Sequence, residues 1–427
     1  MLDLRFIREN IALVEANIKI RNVKANAARV VELYSQRNIL LTEIDDLRKQ
    51  RNDNAARMKA KLEQAEREKL IAAGQKLKED IASREERLSV TEKEMETEAA
   101  KIPNMTHPDV PAGLTETENR EIKKVGKVPS FSFKAKDHME LGTALDIIDF
   151  ETALKVTGQK WYYLKNEGAL LELALTRFAF DFLLAEGFDL YITPDVAREE
   201  ILEGIGFNPR GEESNIYRIE EEGTCLIGTS EITLGGAFSK TILEESSLPM
   251  KLAGLSHCFR REAGAAGQFS KGLYRVHQFT KVEMFIFCTP ENSNDMHDYL
   301  LSLEEKLYTR LEIPFRVVDV CAGDLGNPAF RKYDIEAWMP GRGDTGDWGE
   351  ITSTSNCTDY QSRRLQIRYK KEGKNLFVHM LNGTAIAVSR TLIAILENFQ
   401  QADGSVRIPA ALVPYTGFDR IKARKQG

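Results

Sequence analysis

The first 102 residues contain no proline and a single glycine, Gly74. Because proline breaks helices and glycine weakens them, this segment favours long, uninterrupted helices. No stretch of the chain approaches the roughly 18 apolar residues of a membrane-spanning helix, and the N-terminus has no apolar signal core. The five cysteines form no CxxC pair. We therefore expect no structural zinc site, no membrane association and a cytoplasmic location.

The sequence also lacks a strong charge of one sign and the usual phosphate-binding glycine loops. The formal net charge is -6, from 59 basic and 65 acidic residues, so any nucleic-acid contact must be a local patch. No Walker A motif is present, and the single G-x-G-x-x-G match, "GRGDTG" at 341–346, lies outside any predicted strand–helix unit. If a nucleotide binds, side chains must therefore hold it.

What the N-terminal segment does contain is helix-forming residues with a heptad pattern. Asp3 is placed to cap a first helix through "LRFIRENIALVEANIKIR". Residues at alternating steps of three and four then form two mostly apolar series, Leu33, Arg37, Leu40, Ile44 and Leu47, followed by Leu70, Gly74, Leu77, Ile81, Arg84, Leu88, Thr91, Met95, Glu98 and Ile102. The pattern predicts two helices of roughly 30 to 35 residues, joined near residues 54–68 into an antiparallel hairpin about 50 Å long.

Two interpretations of this hairpin remain open. Heptads alone favour a coiled coil used for dimerisation or as a spacer. Basic residues toward the tip could instead bind phosphates, although a run of charge is usually a solvated face. They are Arg48, Lys49, Arg51, Arg57, Lys59 and Lys61.

The sequence pattern changes after a proline-rich stretch. Pro103, Pro108 and Pro111 end the helical region, which predicts an arm domain over 1–102 and a linker over 103–115. Beyond it, short alternating segments mix with a few helices, such as "EGALLELALTRFAFDFLLAEGF" before the strand "DLYITPDV". We predict an α+β domain over 116–427, built on an antiparallel sheet.

The segment "MKLAGLSHCFRREAG" and the return segment "LYRVHQFTKVEMFIFC" predict a strand hairpin. Strand alternation would place Arg260 and Glu262 on one side. On the return strand it would group Arg275, His277, Phe279, Lys281 and Glu283, with Val276 on the other face. Such a face is either solvated or suited to a planar, phosphorylated ligand, and His277 is expected to be structural.

Three further segments offer polar groups. "LIGTSEITL" places Thr229 and Glu231 after an apolar strand. "LFVHMLNGTAIAVSRTLIAILENFQ" predicts a strand, an Asn-Gly-Thr turn and an apolar helix that carries Arg390. Considered by itself, an arginine in such a helix is expected to extend to solvent. "GDWGEITSTSNC" supplies oxygen ligands suited to Mg²⁺, namely Glu350, Ser353, Ser355 and Asn356.

Together these segments resemble the class II aminoacyl-tRNA synthetases. "TPDV" behind a long helix, "FRREAG…RVHQFTKVE" and "LNGTAIAVSRTLIAILEN" are similar to their three signature motifs, and "GTSE" with the helical hairpin resembles the seryl-tRNA synthetases. The resemblance implies an arm joined to a class II catalytic domain, in which an antiparallel sheet is flanked by helices. One departure is Thr384, where many relatives have serine.

The resemblance also implies roles for individual residues. Glu283 would bind the ammonium group, and Phe279 and Arg390 would enclose the adenine. The implied serine site is Thr229, Glu231, Arg260, Glu283, Asn382 and Thr384. The implied ATP site is Arg260, Glu262, Arg275, Val276, Phe279, Glu350, Ser353 and Arg390, with Mg²⁺ on Glu350 and Ser353 and catalysis by Arg260, Arg390 and Glu350.

The implied reaction is ATP-dependent formation of seryl-adenylate and transfer of serine to tRNA(Ser), and to tRNA(Sec) where that pathway exists. A homodimer is implied, with Pro194 and the preceding helix at its interface. Two alternatives belong to other classes: a paralogue that loads a carrier protein, which should lack the long arm, and a non-catalytic RNA-binding scaffold, which should lack the ligand residues.

Overall fold

The computed structural model describes residues 1–60, 63–208, 214–263 and 269–422. The chain divides into two units, Met1–Met105 and Thr106–Gly427, so the division falls within the predicted linker. The second part of that linker belongs to the C-terminal unit. There the N–H of His107 donates to the carbonyl of Phe330 at 2.9 Å, and the N–H of Gly323 donates to Gly113 at 2.9 Å.

The N-terminal unit is helical. Its helices are α1 (Leu4–Glu9), α2 (Ile11–Ile20), α3 (Ala27–Arg57) and α4 (Gln64–Lys101). Asp3 caps α1, since its carboxylate accepts from the N–H groups of Arg5 and Phe6. The prediction of one continuous first helix is wrong, because the backbone leaves the helical region at Asn10 (φ -127°, ψ 35°).

The long helices α3 and α4 form the predicted antiparallel hairpin. Their buried seam residues are mainly apolar, such as Leu40 and Ile81. The chain direction is set by contacts whose numbers run in opposite senses, Arg29–Glu94 at 2.6 Å, Arg48–Glu85 at 2.8 Å and Asn54–Leu70 at 2.9 Å. Two residues that interrupt the heptad pattern pack against the facing helix. Arg84 forms an ion pair with Glu43 at 3.2 Å. Gly74 leaves room for Asn54, because a Cβ at position 74 would lie 3.0 Å from the Asn54 amide nitrogen.

The basic residues toward the tip differ in their surroundings. Arg48 is engaged by Glu85, and Arg57 lies 3.9 Å from Glu66. Lys49, Arg51 and Lys59 are exposed to solvent, and Lys61 lies outside the described residues.

The C-terminal unit is built on a sheet of eight strands, confirming the α+β prediction. The order across it is β1-β11-β12-β13-β16-β10-β9-β4, and its pairs are antiparallel except β4 with β9. The strands are β1 (Arg120–Val125), β4 (Asp189–Ile192), β9 (Met250–Phe259), β10 (Gln278–Cys288), β11 (Phe315–Asp319), β12 (Arg331–Met339), β13 (Asp347–Asn356) and β16 (His379–Ala387).

Shorter strands pair in small sheets around this centre. They are β2 (Ile148–Asp149), β3 (Tyr163–Leu164), β5 (Val196–Arg198), β6 (Arg218–Ile219), β7 (Thr224–Leu226), β8 (Ile242–Glu244), β14 (Arg368–Lys371), β15 (Lys374–Phe377), β17 (Val406–Arg407) and β18 (Arg420–Ile421). The helices are α5 (His138–Ala144), α6 (Phe150–Val156), α7 (Asn166–Ala185), α8 (Glu199–Ile205), α9 (Glu231–Gly236), α10 (Ser293–Arg310), α11 (Tyr360–Leu365), α12 (Val388–Asn398) and α13 (Val413–Thr416).

The central strand β10 separates two apolar cores. Its alternate residues Met284 and Ile286 pack with α7, α10 and α12. Phe285 and Phe287 point the other way and pack with α8, α9 and α11. Burial on both faces fixes the register of β10, because a slip of one residue would exchange the two sets.

Two local predictions are wrong. The Asn-Gly-Thr segment is not a turn, since β16 continues through it from His379 to Ala387. The return strand of the hairpin begins at Gln278 rather than near Leu273, because Gly272–Tyr274 forms a 3-10 turn. Across residues 1–60, 63–208, 214–263 and 269–422, none of the helices is long and apolar enough to cross a membrane.

Candidate active site

Strands β10, β13 and β16, the starts of α9 and α12, and the segment after β9 line an open cleft. The structure brings to this cleft every residue that the resemblance assigns to the serine and ATP sites. Those residues are Thr229, Glu231, Arg260, Glu262, Arg275, Val276, Phe279, Glu283, Glu350, Ser353, Asn382, Thr384 and Arg390. Residues separated by more than 150 positions therefore share one site.

A bulge in β13 places Glu350 and Ser353 on the same face. In a regular strand, residues three apart face opposite sides. Here Ile335 pairs with Thr352 and Glu336 pairs with Glu350, so Ile351 is an extra residue in β13. The bulge shifts the alternation by one and turns both oxygen-bearing side chains into the cleft.

A similar irregularity shapes β16. Glu283 of β10 lies directly opposite Thr384, and the next pair joins Val282 to Ile386, so Ala385 is extra. The Thr384 hydroxyl donates to Glu283 Oε2 at 3.0 Å, and both side chains are buried. A Cβ at Gly383, behind the cleft, would lie 2.9 Å from Oε1 of the buried Glu304, so a larger residue at this position would have to displace the Glu304 side chain of α10.

Glu231 lies at the start of α9 with its carboxylate buried in the cleft. Its Oε1 accepts from the amides of Gln361 at 2.7 Å and Asn382 at 2.9 Å. Burial, followed by the negative charge of Glu283, raises the pKa of Glu231 to about 7. The cleft thus contains two neighbouring carboxylates, and one of them changes charge near neutral pH.

Lys281 is a cleft residue to which the sequence assigned no role. Its ammonium group forms an ion pair with Glu283 and donates to the Thr229 hydroxyl at 2.8 Å. The side chain is 6% exposed. Alternation along β10 placed Lys281 on the correct face, but its burial and its two partners depend on tertiary packing.

Arg260 and Glu262 both reach the cleft, although not by strand alternation. Strand β9 ends at Phe259, and Glu262 has a left-handed backbone with φ 51°. The Arg260 guanidinium lies 5.3 Å from the centre of the Phe279 ring and donates to the carbonyl of Gly228 at 3.3 Å. Glu262 forms an ion pair with Arg275 at 3.1 Å.

Arg390 projects from the first turn of α12 into the cleft. Its guanidinium donates to the Glu350 carbonyl at 3.0 Å, lies 3.3 Å from the Glu350 carboxylate, and covers the Tyr274 ring at 4.7 Å. Burial opposes ionisation of Glu350, but the charges of Arg390 and then Lys332 hold its pKa at about 2. Tyr274 is a second cleft residue that the sequence did not predict.

Three polar residues grouped with the site by the sequence do not line the cleft. His277 precedes β10, is within hydrogen-bonding distance of the Arg260 carbonyl at 3.0 Å, and packs against Trp161. Ser355 and Asn356 lie farther along β13, where Asn356 accepts from the Ser293 hydroxyl at 3.0 Å. The predicted oxygen cluster is therefore reduced to Glu350 and Ser353.

The cleft has a donor set that suits a hard cation. Glu350 is ionised, and the Ser353 hydroxyl shares its face, so both offer the oxygen ligands that Mg²⁺ prefers. Within the part of the chain that the structure describes, no three His, Cys, Asp or Glu side chains cluster as metal ligands. All five cysteines are buried free thiols.

Two family profiles match this chain. Residues 1–106 match the family described as "Seryl-tRNA synthetase N-terminal domain". Residues 216–399 match "tRNA synthetase class II core domain (G, H, P, S and T)", which spans the strands that form the cleft.

Similar proteins extend over the full length. The serine–tRNA ligase of Treponema denticola is 60% identical over 422 residues, 99% of this chain and 100% of the relative. That of Borrelia recurrentis is 59% identical over 424 residues, again 99% and 100%. Among solved structures, the seryl-tRNA synthetase of Pyrococcus horikoshii in complex with ATP has a TM-score of 0.90 at 39% identity, covering 100% of both chains. The cytoplasmic serine–tRNA ligase of Naegleria fowleri with AMP has a TM-score of 0.85 at 32% identity, covering 100% and 99%.

Proposed function

Because the chain belongs to the seryl-tRNA synthetase family of class II aminoacyl-tRNA synthetases, we propose that it activates L-serine with ATP and transfers the seryl group to tRNA(Ser). The observation that carries this proposal is the convergence on one cleft of all the residues that the resemblance assigns to the serine and ATP sites. The two alternatives receive no support, since the N-terminal arm and the full set of ligand residues are both present.

The serine site lies at the end of the cleft around Glu283. The carboxylates of Glu283 and Glu231 attract the substrate ammonium group, and Thr229 contributes a hydroxyl. Asn382 and Thr384 sit near the substrate hydroxyl and carboxylate. The substrate brings one ammonium group, whereas the site has two buried carboxylates. The ammonium group of Lys281 supplies a second positive charge, so that each carboxylate has an oppositely charged partner.

This arrangement accounts for selection of serine by its hydroxyl. A site built to hydrogen-bond a hydroxyl rejects alanine strongly, because buried polar groups would then be unpaired. Threonine must be excluded by its added methyl group. Arg260 lies beside this site and binds the substrate carboxylate as well as the nucleotide.

ATP occupies the other end of the cleft. Phe279 stacks beneath the adenine, Arg390 lies above it and contacts the γ-phosphate, and Val276 offers backbone groups to the base. Glu262 lies at the adenine end, and Arg275 supports the triphosphate. The proposal is supported by the guanidinium groups that lie over the Phe279 and Tyr274 rings and flank this space.

The reaction requires no enzyme nucleophile. The serine carboxylate attacks the α-phosphorus in line, pyrophosphate leaves, and a terminal ribose hydroxyl of the tRNA then accepts the seryl group. Arg260 and Arg390 position the reactants and neutralise developing negative charge. Mg²⁺, held by Glu350 and Ser353, would supply Lewis-acid neutralisation of the phosphates.

The helical hairpin is proposed to bind tRNA. Recognition of its long variable arm by shape and backbone would let serine tRNAs with unrelated anticodons share one enzyme. Exposed Lys49, Arg51 and Lys59 supply positive charge toward the tip. The same contacts would accept tRNA(Sec) in an organism that makes one.

A homodimer is proposed through α7 and the adjoining strand β4. Both elements leave large apolar side chains in solvent, with Leu173 66% exposed and Ile192 79% exposed. Exposed apolar groups of this size mark interaction surfaces. Pro194, two residues after the end of β4, belongs to the same surface.

Aminoacylation tests the proposed function. The purified protein should attach serine to a tRNA(Ser) transcript, and charging should fall sharply when the long variable arm of that transcript is shortened. A matched tRNA(Ala) transcript is the control. Failure to charge tRNA(Ser), by protein that is folded and supplied with ATP and Mg²⁺, would contradict the proposal.

A further inference from the structure

A buried histidine–glutamate pair lies outside the predicted ligand residues. His138 begins α5 and Glu397 lies near the end of α12, and each residue is 1% exposed. The His138 Nδ1 lies 2.8 Å from Glu397 Oε1. The His138 backbone N–H also donates to Glu397 Oε1 at 3.0 Å, so the two residues are joined twice.

The other ring nitrogen of His138 holds the turn that precedes β10. The N–H of Leu273 donates to His138 Nε2 at 3.1 Å. A backbone N–H can only donate, so Nε2 is the acceptor and the neutral ring carries its proton on Nδ1, which donates to Glu397. Glycine is required at position 272, which has φ 55°, because a Cβ there would clash with the His138 ring.

This turn supplies part of the nucleotide site. It ends at Tyr274, whose ring lies under Arg390 at 4.7 Å and whose carbonyl accepts from Arg390 at 3.5 Å. Arg275 and Val276 follow directly and line the cleft. Helix α12 therefore contacts the turn at two points, through Arg390 at its start and through Glu397 and His138 at its end.

Glu397 also holds a second segment against the same ring. Its Oε2 accepts from the N–H of Gly341 at 2.7 Å, at the connection between β12 and β13. Next to it, the guanidinium of Arg342 covers Tyr274 at 4.9 Å and Phe269 at 4.6 Å. One carboxylate thus fixes both segments that pack around Tyr274.

We propose that His138 and Glu397 are positioning residues for ATP, which hold the 272–274 turn and Tyr274 in place for Arg390. This inference rests on the proposed function, since it concerns the same nucleotide site. The serine-binding side chains come from the segment before α9, from α9, from the segment after β9, and from β10 and β16. None of them belongs to this turn, so loss of the pair should weaken ATP binding selectively.

The test is direct binding of ATP with Mg²⁺, and of serine, to the full chain by titration calorimetry. His138→Ala removes the acceptor for Leu273, and we expect ATP to bind at least about fivefold more weakly while serine binding changes less than about twofold. His138→Gln can keep an acceptor near the Nε2 position and should recover most of the ATP affinity. His107→Ala is the matched control, since it removes a histidine that contacts Phe330 and Asp109 instead of this turn.

The outcomes separate the two proposals. Equal ATP affinity in wild type and His138→Ala, or equal weakening of ATP and serine binding, would overturn the positioning role. If His138→Ala fails to fold, Glu397→Gln and His138→Gln replace it, and ATP affinity within twofold of wild type in Glu397→Gln would also overturn it. Absence of ATP binding to the folded wild type would overturn the proposed nucleotide site itself.

Discussion

Replacing Thr384 with valine tests the proposed serine site at a single atom. The substitution removes the hydroxyl that donates to Glu283 at 3.0 Å and keeps the shape of the side chain. Both residues are buried, at 7% and 2% exposure, so water cannot readily replace the lost donor. The Glu283 carboxylate would retain its contact with Lys281.

The expected magnitude follows from the type of hydrogen bond that is lost. A hydrogen bond to a charged group contributes about 1.5–3 kcal/mol, which corresponds to roughly 10- to 150-fold in an equilibrium constant. We expect kcat/KM for serine in pyrophosphate exchange to fall within that range. The KM for ATP should change little, because Thr384 belongs to the proposed serine site and not to the proposed ATP site.

Thr384→Ser is the matched control, since it keeps the hydroxyl and removes only a methyl group worth about 0.8 kcal/mol of burial, or roughly fourfold. If Thr384→Val used serine as well as wild type does, the Thr384 hydroxyl would have no role in the serine site. If Thr384→Ser and Thr384→Val lost the same amount of activity, the loss would come from packing of the methyl group, and the role of the hydroxyl would again be excluded.

Three further predictions concern charge. Serine should bind progressively more weakly below pH 7, by up to about tenfold per pH unit, because Glu231 has a pKa raised to about 7 and loses its charge as the pH falls. Titration calorimetry should show this dependence in wild type. If the dependence persisted in Glu231→Gln, Glu231 would not be the titrating group. The raised pKa of Glu231 has the opposite effect on the stability of the fold. The folded state favours the protonated carboxyl group, so the contribution of Glu231 to stability is fully present below its unfolded pKa and is lost as pH rises through about 7. Arg260→Ala should lower adenylate formation by about 100- to 1000-fold, as loss of one transition-state donor does; substantial exchange activity in folded protein would exclude its role. Lys49, Arg51 and Lys59 changed together to glutamate should raise the KM for tRNA and weaken its salt dependence while pyrophosphate exchange is unaffected; unchanged tRNA charging would exclude the tip as a binding surface.

Much of the cleft could be predicted from local patterns. Period-two alternation along β10 correctly groups Phe279, Lys281 and Glu283, because that strand is regular from Gln278 onward. Just before it, alternation fails: the chain leaves the turn at Tyr274 with Arg275 and Val276 both lining the cleft, while His277 does not. A periodicity argument holds only as far as the regular element does.

The bulges could not be predicted from periodicity. Extra residues at Ile351 and Ala385 change which side chains share a face, and nothing in the local sequence marks them. The Asn-Gly-Thr segment carries a turn signal that tertiary packing overrides, because Gly383 allows β16 to pass close to Glu304. Local sequence does not predict Tyr274 as a cleft residue or a role for Lys281, because both depend on partners from distant segments.

In the helical arm, too, periodicity predicts the regular elements but not their interruptions. Its heptad steps predicted the long pair of helices, and residues that break the apolar series, such as Arg84, have partners across the hairpin. The break at Asn10 was not predicted, because the helix-forming composition continues through it.

The most direct test of the proposed function is amino-acid-dependent exchange of pyrophosphate into ATP, measured without tRNA and with serine, threonine, alanine and glycine in parallel. We expect exchange with serine alone, because the proposed function places a hydroxyl-binding site beside an ATP site in this cleft. No exchange with any of the four, in folded protein with Mg²⁺, would contradict the proposed chemistry. Equal exchange with alanine would contradict the proposed recognition of the serine hydroxyl.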